Sequence, residues 1–321
     1  MRHSITVIIP TRDRPDYLVE AVASVLEAAS RVSGRAQVEV LVVDNSSESS
    51  ITDRSRRIAS DAGASFLVST PAGVSRARNA GIAAARGELI GFLDDDDAYD
   101  PRALELLLDA LESHEHAAAV FGQQILCDAT LQPVFGPVPD GPFPQGEALA
   151  FSMATIIGWN PVLVRRAALL ELGGFDESIS QSEDWELQMR VASRHDLFGI
   201  EAPIALIRQH ERRPVRFDQW ISVQRECRQV ERSGRRLQGR QPISRYRRWA
   251  STWGHRGRSA HGALSHARRW LSVGERGQAA LFVMGACWRS FPHTVRLIPE
   301  FMDVGSGLLL PSRRGRTTSA N

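Results

Sequence analysis

The chain has 321 residues, of which 43% are hydrophobic: enough for one large domain, or a domain with a smaller appendage, and too apolar for wholesale disorder. Cys127, Cys227 and Cys287 stand far apart with no C-x-x-C spacing, which argues against a structural zinc or a disulfide framework and for a reducing cytosol. The net charge of +2 hides an asymmetry: all 39 basic residues are arginines, 16 against 30 acids in residues 1–207 and 23 against 7 in residues 208–321.

In chain order, Ile5 to Ile9 is a β-branched run stopped by Pro10 and predicts a first strand. Pro15 opens a helical pattern with Leu18, Val22, Val25 and Leu26 on one face. Val38 to Val43 predicts a second strand, ended by the turn cluster Asp44 to Ser47. Ile51 to Ala62 then reads as a helix and Ala64 to Val68 as a third strand. Gly73 to Arg86 is Ala-rich and helical, closed by Gly87, and Leu89 to Leu93 is a fourth strand that runs into Asp94, Asp95, Asp96 and Asp97. Asp100-Pro101 fits an N-cap followed by proline at N1, starting a helix through Leu111.

This alternation predicts an α/β fold with a doubly wound, mostly parallel, Rossmann-like sheet. Ligands of such sheets sit beyond the carboxyl ends of the strands. The residues to watch are therefore Thr11, Arg12 and Asp13 after the first strand, Asp44 after the second, and Asp94 to Asp97 after the fourth.

Residues 115–180 are less regular. Ala117 to Leu126 and Gln132 to Phe135 read as strands, and five prolines between Pro133 and Gln145 predict a loop. Ser180 to Glu183 fits a capping box for a helix with Trp185, Leu187 and Met189, in which Glu186 and Arg190 form an i,i+4 pair. From about Val215 the chain becomes arginine-rich and broadly helical, with interspersed tryptophans. The expected division is a catalytic domain at 1–212 and a basic helical region at 213–321.

Four carboxylates after a buried strand repel one another unless a cation is present. Hard oxygens suit Mn²⁺ or Mg²⁺, which take one or two carboxylates and complete their shell with phosphate oxygens and water. The plain alternative is a solvated acidic loop that caps the next helix, a task for which Asp100 is already available.

Several motifs occur in order: Ile8 to Arg14 (IIPTRDR), Val42 to Ser47 (VVDNSS), Gly73 to Gly81 (GVSRARNAG), Gly91 to Asp97 (GFLDDDD), Gly173 to Glu177 (GGFDE) and Ser182 to Leu187 (SEDWEL). Together they resemble the glycosyltransferase family 2 pattern on the GT-A fold, over roughly residues 4–212. The resemblance implies that Pro10, Thr11 and Arg12, with Asp44, cradle the base and ribose of a nucleotide-sugar. It implies that Arg78 approaches the base or the diphosphate. Asp94 matches the first aspartate of a D-x-D element, near the ribose, and Asp96 the metal-binding last one. Asp95 fills the middle position, so ligation could be shared by Asp95 or Asp97. Asp184 matches the general base, and His210 a position that reaches the metal or the diphosphate.

Each of these residues has a structural alternative. Asp44 can cap a turn through its side chain, Arg78 can be a surface arginine, and Asp184 is an acid in a helical first turn, where the macrodipole favours one. His210, after an expected edge strand at Ile204 to Ile207, can be an ordinary surface histidine.

The resemblance implies an inverting enzyme that moves one sugar from a UDP-sugar to a glycan or lipid-linked acceptor, as in polysaccharide or cell-envelope biosynthesis. A Q-x-x-R-W element, associated with polymerising relatives, is absent. A nucleotidyltransferase of related fold would want a lysine-bearing phosphate loop, and the chain has no lysine. A non-catalytic binding protein with a relic nucleotide pocket is the alternative from another class. The basic region suits an anionic membrane surface or an oligomer contact better than nucleic acid, for which no fold signature is present. With no signal-peptide pattern and no run near the roughly 20 apolar residues of a membrane span, the expected location is cytoplasmic, with peripheral contact at the inner face of the membrane.

Overall fold

The computed structural model describes residues 2–139, 141–209, 217–237, 264, 267, 271 and 276–290. Aliphatic residues on the early strands face two ways, and both faces are buried. In β1 (His3–Thr11), Ile5, Val7 and Ile9 enter one core and Ile8 the other. In β2 (Ala36–Asp44), Val40 and Val42 join the first core, Leu41 and Val43 the second. A strand apolar on both faces must be covered on both. Helices α1 (Pro15–Arg31) and α4 (Ala103–Ser113) cover the first face through Leu18, Val22, Val25, Leu104 and Leu107. On the second face lie α3 (Val74–Ala84), α5 (Leu149–Ala154) and α7 (Glu183–Arg194), through Ala77, Leu149, Trp185 and Leu187.

The remaining strands are β3 (Ser65–Val68), β4 (Leu89–Phe92), β5 (Ala98–Tyr99), β6 (Ala117–Cys127), β7 (Pro133–Val138), β8 (Gln145–Glu147), β9 (Val162–Arg165) and β10 (Asp196–Arg208). The sheet runs β3-β2-β1-β4-β9-β6-β10-β5, with β7 on β6 and β8 on β10. Pairs β1–β2, β2–β3, β1–β4 and β6–β10 are parallel, and β9 inserts antiparallel between β4 and β6. After β3 the chain returns across β1 to place β4 on its far side. The order reverses there, so the polar ends of β1, β2 and β4 open onto the usual crevice of a doubly wound sheet.

Helices α2 (Ser49–Asp61), α6 (Arg166–Glu171), α8 (Phe217–Arg236) and α9 (Arg276–Ser290) complete the described elements. The chain forms two compact units: Met1–Glu211 with Glu226–Arg248, and Arg212–Arg225 with Trp249–Asn321. In the first unit, Val230 of α8 joins the second core, and Ser180 Oγ donates to the Glu226 carboxylate at 2.9 Å. Among the described residues, no helix is long and apolar enough to cross a membrane.

Local readings differ from the structure at five places. The strand read at Gln132 to Phe135 forms as β7 but runs on to Val138, into the stretch expected as a loop, paired with β6 alone; prolines are tolerated there because an edge strand need not donate on its outer side. Strand β5, too short to show a period, pairs antiparallel with β10. Strand β10 therefore lies between β6 and β5 and is not an edge. Helix α4 starts at Ala103, because Asp100 instead makes a turn, accepting from Arg102 N on Oδ1 and from Ala103 N on its carbonyl, both at 2.8 Å. The capping box does not form: Ser182 is left-handed (φ 69) and makes no side-chain cap, its hydroxyl lying 3.1 Å from Cys227 Sγ. The Glu186–Arg190 pair does form, with Nε to Oε1 at 2.7 Å.

Candidate active site

The strand ends converge. Thr11 and Asp44 are register partners at the ends of β1 and β2, and Leu93 N donates to Ile8 O at 3.1 Å, which sets Asp94 beside them. A cleft of ≈ 440 Å³ opens there, lined by Pro10, Thr11, Arg12, Arg14, Asn45, Val74, Ala77 and Asp94. Pro10, Thr11, Arg12 and Asp94 are thus brought together as the sequence suggests. Asp44 lies just behind: fully buried, its carboxylate accepts from Ser46 Oγ at 2.7 Å and from Thr52 Oγ1 at 2.7 Å. That is the turn-capping arrangement, and Asn45 is the neighbour that lines the cleft. Asn45 Nδ2 donates to Ser69 O at 2.5 Å and Oδ1 accepts from Gly73 N at 2.6 Å, so one side chain ties β2 to the loop before α3.

The four aspartates have four different environments. Asp94 Oδ1 accepts from Arg78 Nη2 at 2.9 Å. Asp95, the most deeply buried, accepts from Thr11 Oγ1 at 2.7 Å and faces Arg14 Nη2 at 2.6 Å. Burial pushes its carboxyl up to about 7, against the pull of Arg14 and Thr11. Asp96 pairs with Arg14 Nη1. Asp97 accepts from Asn160 Nδ2 at 2.5 Å and Arg208 N at 2.8 Å; burial, then the charge of Asp94, pushes it up to about 8. Arg208 Nε also donates to Asp96 O at 2.8 Å, so the end of β10 and Asn160 hold the segment from behind.

Arg78 is buried and is not a surface arginine. Besides Asp94, its Nη1 reaches Glu183 Oε1 at 3.0 Å. Burial works against its charge, but Asp94, Glu183 and Asp184 outweigh it and the pKa is raised. Helix α3 can present this side chain because Gly81 lets it approach β1: a Cβ there would lie 2.6 Å from Ile8 Cγ2. On the same helix, Asn79 is held close to the Gly173–Glu177 turn: Gly174 (φ +70) packs on it so closely that a Cβ would stand 2.4 Å from its Oδ1.

Asp184 opens α7. Trp185 is fully buried, its Nε1 donating to Ser152 O at 2.6 Å, and Trp159 Nε1 donates to Asp184 O at 3.0 Å. These two indoles fix the helix start, and Asp184 Oδ1 accepts from Trp185 N at 2.7 Å. Burial, followed by the charge of Glu183, raises the Asp184 carboxyl to about 6, with Arg78 opposing. That suits a group that takes up a proton near neutral pH. His210, and most of the basic region, lie outside the described residues.

A divalent cation can be held by one carboxylate when a phosphate ligand completes its shell. Among the described residues no three His, Cys, Asp or Glu side chains stand together in a ligand arrangement. Asp96 offers one carboxylate beside the cleft and already binds a cationic side chain there. The donor set fits a cation shared with a diphosphate and not an all-protein cage.

Arg14, Asn45, Asn160 and Glu183 are site residues that the sequence reading did not single out for a role. Arg14, Asn45 and Glu183 lie inside quoted motifs; Asn160 carried no local signal.

Residues 6–136 match the sequence profile described as "Glycosyl transferase family 2". An uncharacterised glycosyltransferase of Rickettsia conorii is 26% identical over 211 residues, covering 64% of this chain and 32% of that protein. One from Haemophilus influenzae is 22% identical, covering 65% and 69%. The chain thus spans about a third of the length of the Rickettsia relative. Among solved structures, Staphylococcus aureus TarS residues 1–349 in complex with UDP-GlcNAc superposes with a TM-score of 0.56 at 15% identity, covering 95% of this chain and 91% of that one. The same protein in complex with UDP gives 0.57 at 16%. With that profile matched over residues 6–136 and the GT-A fold around the cleft, the chain is similar to glycosyltransferase family 2 across its first seven strands.

Proposed function

We propose that the protein is an inverting glycosyltransferase that moves one sugar from a UDP-sugar to a hydroxyl of a glycan or lipid-linked acceptor. The observation that carries this reading is the chain of charges from the cleft to the start of α7, Asp94–Arg78–Glu183, which ends beside Asp184, a carboxyl raised to about 6. The UDP-GlcNAc bound by the TarS neighbour supports a uridine donor.

In this reading Pro10, Thr11, Arg12 and Asn45 receive the nucleoside, Asp94 the ribose, and Arg78 orients Asp94. Asp95 is a hydrogen-bonded support beneath them, and Asp44 shapes the turn that presents Asn45. Asp184 accepts the proton of the acceptor hydroxyl; that oxygen's electron pair forms the bond to the anomeric carbon, and the bond to the diphosphate breaks on the opposite face. Mn²⁺ or Mg²⁺ at Asp96, with His210 as a further ligand, would supply charge neutralisation at the leaving diphosphate. The basic region from residue 213 would bring the enzyme to an anionic inner membrane surface by peripheral contact.

The test is UDP release from a panel of UDP-sugars with added Mn²⁺. EDTA, and separately Asp96→Ala, are expected to cut turnover at least about 100-fold, on the scale of losing one electrostatic stabiliser of the transition state. Turnover that survives both treatments overturns the metal-dependent reading.

A further inference from the structure

The acidic segment carries a cation of its own. Arg14, at the cap of α1, spans two carboxylates: Nη2 lies 2.6 Å from Asp95 Oδ1, and Nη1 pairs with Asp96 Oδ2. Both partners are enclosed, with side chains 0% and 14% exposed, whereas Arg14 is 42% exposed and lines the cleft. The partners are also anchored elsewhere, Asp95 by Thr11 Oγ1 at 2.7 Å and Asp96 through its carbonyl by Arg208 Nε at 2.8 Å. Arg14 is therefore the member of the group with room to move.

A guanidinium and a divalent cation cannot occupy the same Asp96 oxygen, since two like charges at about 4 Å repel strongly away from bulk water. A metal ion arriving at Asp96 Oδ2 therefore competes with Arg14 for that oxygen. In the cleft that Arg14 lines, a bound nucleotide would present a diphosphate, and a planar two-pronged donor suits phosphate oxygens.

We propose that Arg14 is a resident counter-cation that exchanges Asp96 for the donor's diphosphate when a divalent cation binds. Metal and nucleotide then bind interdependently through one side chain. This rests on the nucleotide-donor reading above.

The experiment uses the full chain as wild type, Arg14→Gln and Arg14→Lys. Mn²⁺ alone is titrated and followed by the electron paramagnetic resonance of free Mn²⁺, and UDP is titrated by calorimetry at saturating Mn²⁺. Arg14→Gln removes the competitor, so Mn²⁺ alone is expected to bind on the order of tenfold tighter, while UDP with Mn²⁺ binds on the order of tenfold weaker. Arg14→Lys keeps the charge and loses the fork, and falls between the two on both measurements. The opposite signs separate the proposal from misfolding, which weakens both. Mn²⁺ affinity that is unchanged or weaker in Arg14→Gln overturns the exchange, and so does unchanged UDP affinity, provided the wild type binds UDP. A wild type that binds no UDP with Mn²⁺ overturns the donor reading and this inference with it.

Discussion

Replacing Asp184 by Asn should make the protein more stable at neutral pH and nearly inactive. The carboxyl is raised from 3.8 to about 6, chiefly by burial. Its charged form is therefore disfavoured in the folded state by about 2 pKa units, or about 3 kcal/mol at most. Because the residue keeps some solvent exposure, ~2 kcal/mol is a fairer expectation. The sign follows from proton linkage: between 3.8 and about 6 the folded state holds more protons than the unfolded, so stability falls as pH rises through that window. Below about pH 4 the acid is neutral in both states and the variant gains nothing from this source. Asn retains an Oδ1 for Trp185 N, which donates to that atom at 2.7 Å. Urea unfolding of both proteins at pH 4 and pH 7.5 should thus show a gap of ~2 kcal/mol at the higher pH only. Transfer should fall by about 10²–10⁴ with UDP binding intact, as expected for loss of a general base. The wild-type rate should rise with pH through about 6 as the base form appears. An equal stability change at both pH values refutes the raised carboxyl, and wild-type turnover in the Asn variant refutes its role.

Arg78→Gln leaves Asp94 and Glu183 without their shared partner, and breaking such a buried pair costs about 3–5 kcal/mol; a drop in melting temperature, with weakened UDP binding, checks it. Gly81→Ala sets a Cβ at 2.6 Å from Ile8 Cγ2, an overpacking worth about 1–3 kcal/mol. It should also weaken UDP binding by shifting α3 and Arg78, whereas an unchanged melting temperature would show that β1 and α3 yield freely.

The early sheet was legible because its signals are local. Near-continuous apolar runs along Ile5 to Ile9 and Val38 to Val43 specify strands covered on both faces, and each strand ends at a polar residue. Where signals were short or competing, the reading failed. Strand β5 has two residues, too few for a period. The Ser180–Glu183 pattern matched a capping box, yet Ser180 turns to Glu226 and Ser182 to Cys227, partners that a four-residue pattern cannot reveal. Prolines spoke against a strand beyond Phe135, but neighbour β6 supplied pairing on the one side where it was needed, as far as Val138.

By itself the sequence determined an acidic body, the doubly wound order of strand and helix, and the residues that stand at the strand ends. Only the tertiary structure decided how the aspartates are used. Asp94 is paired with Arg78, Asp95 and Asp96 with Arg14, and Asp97 with Asn160 and the end of β10. It also turned Asp44 inward and set Asn45 on the cleft. The reason is range: an Asp run looks uniform along the chain, whereas each carboxylate's charge state and partner depend on burial and on cations brought from as far as the other end of the domain.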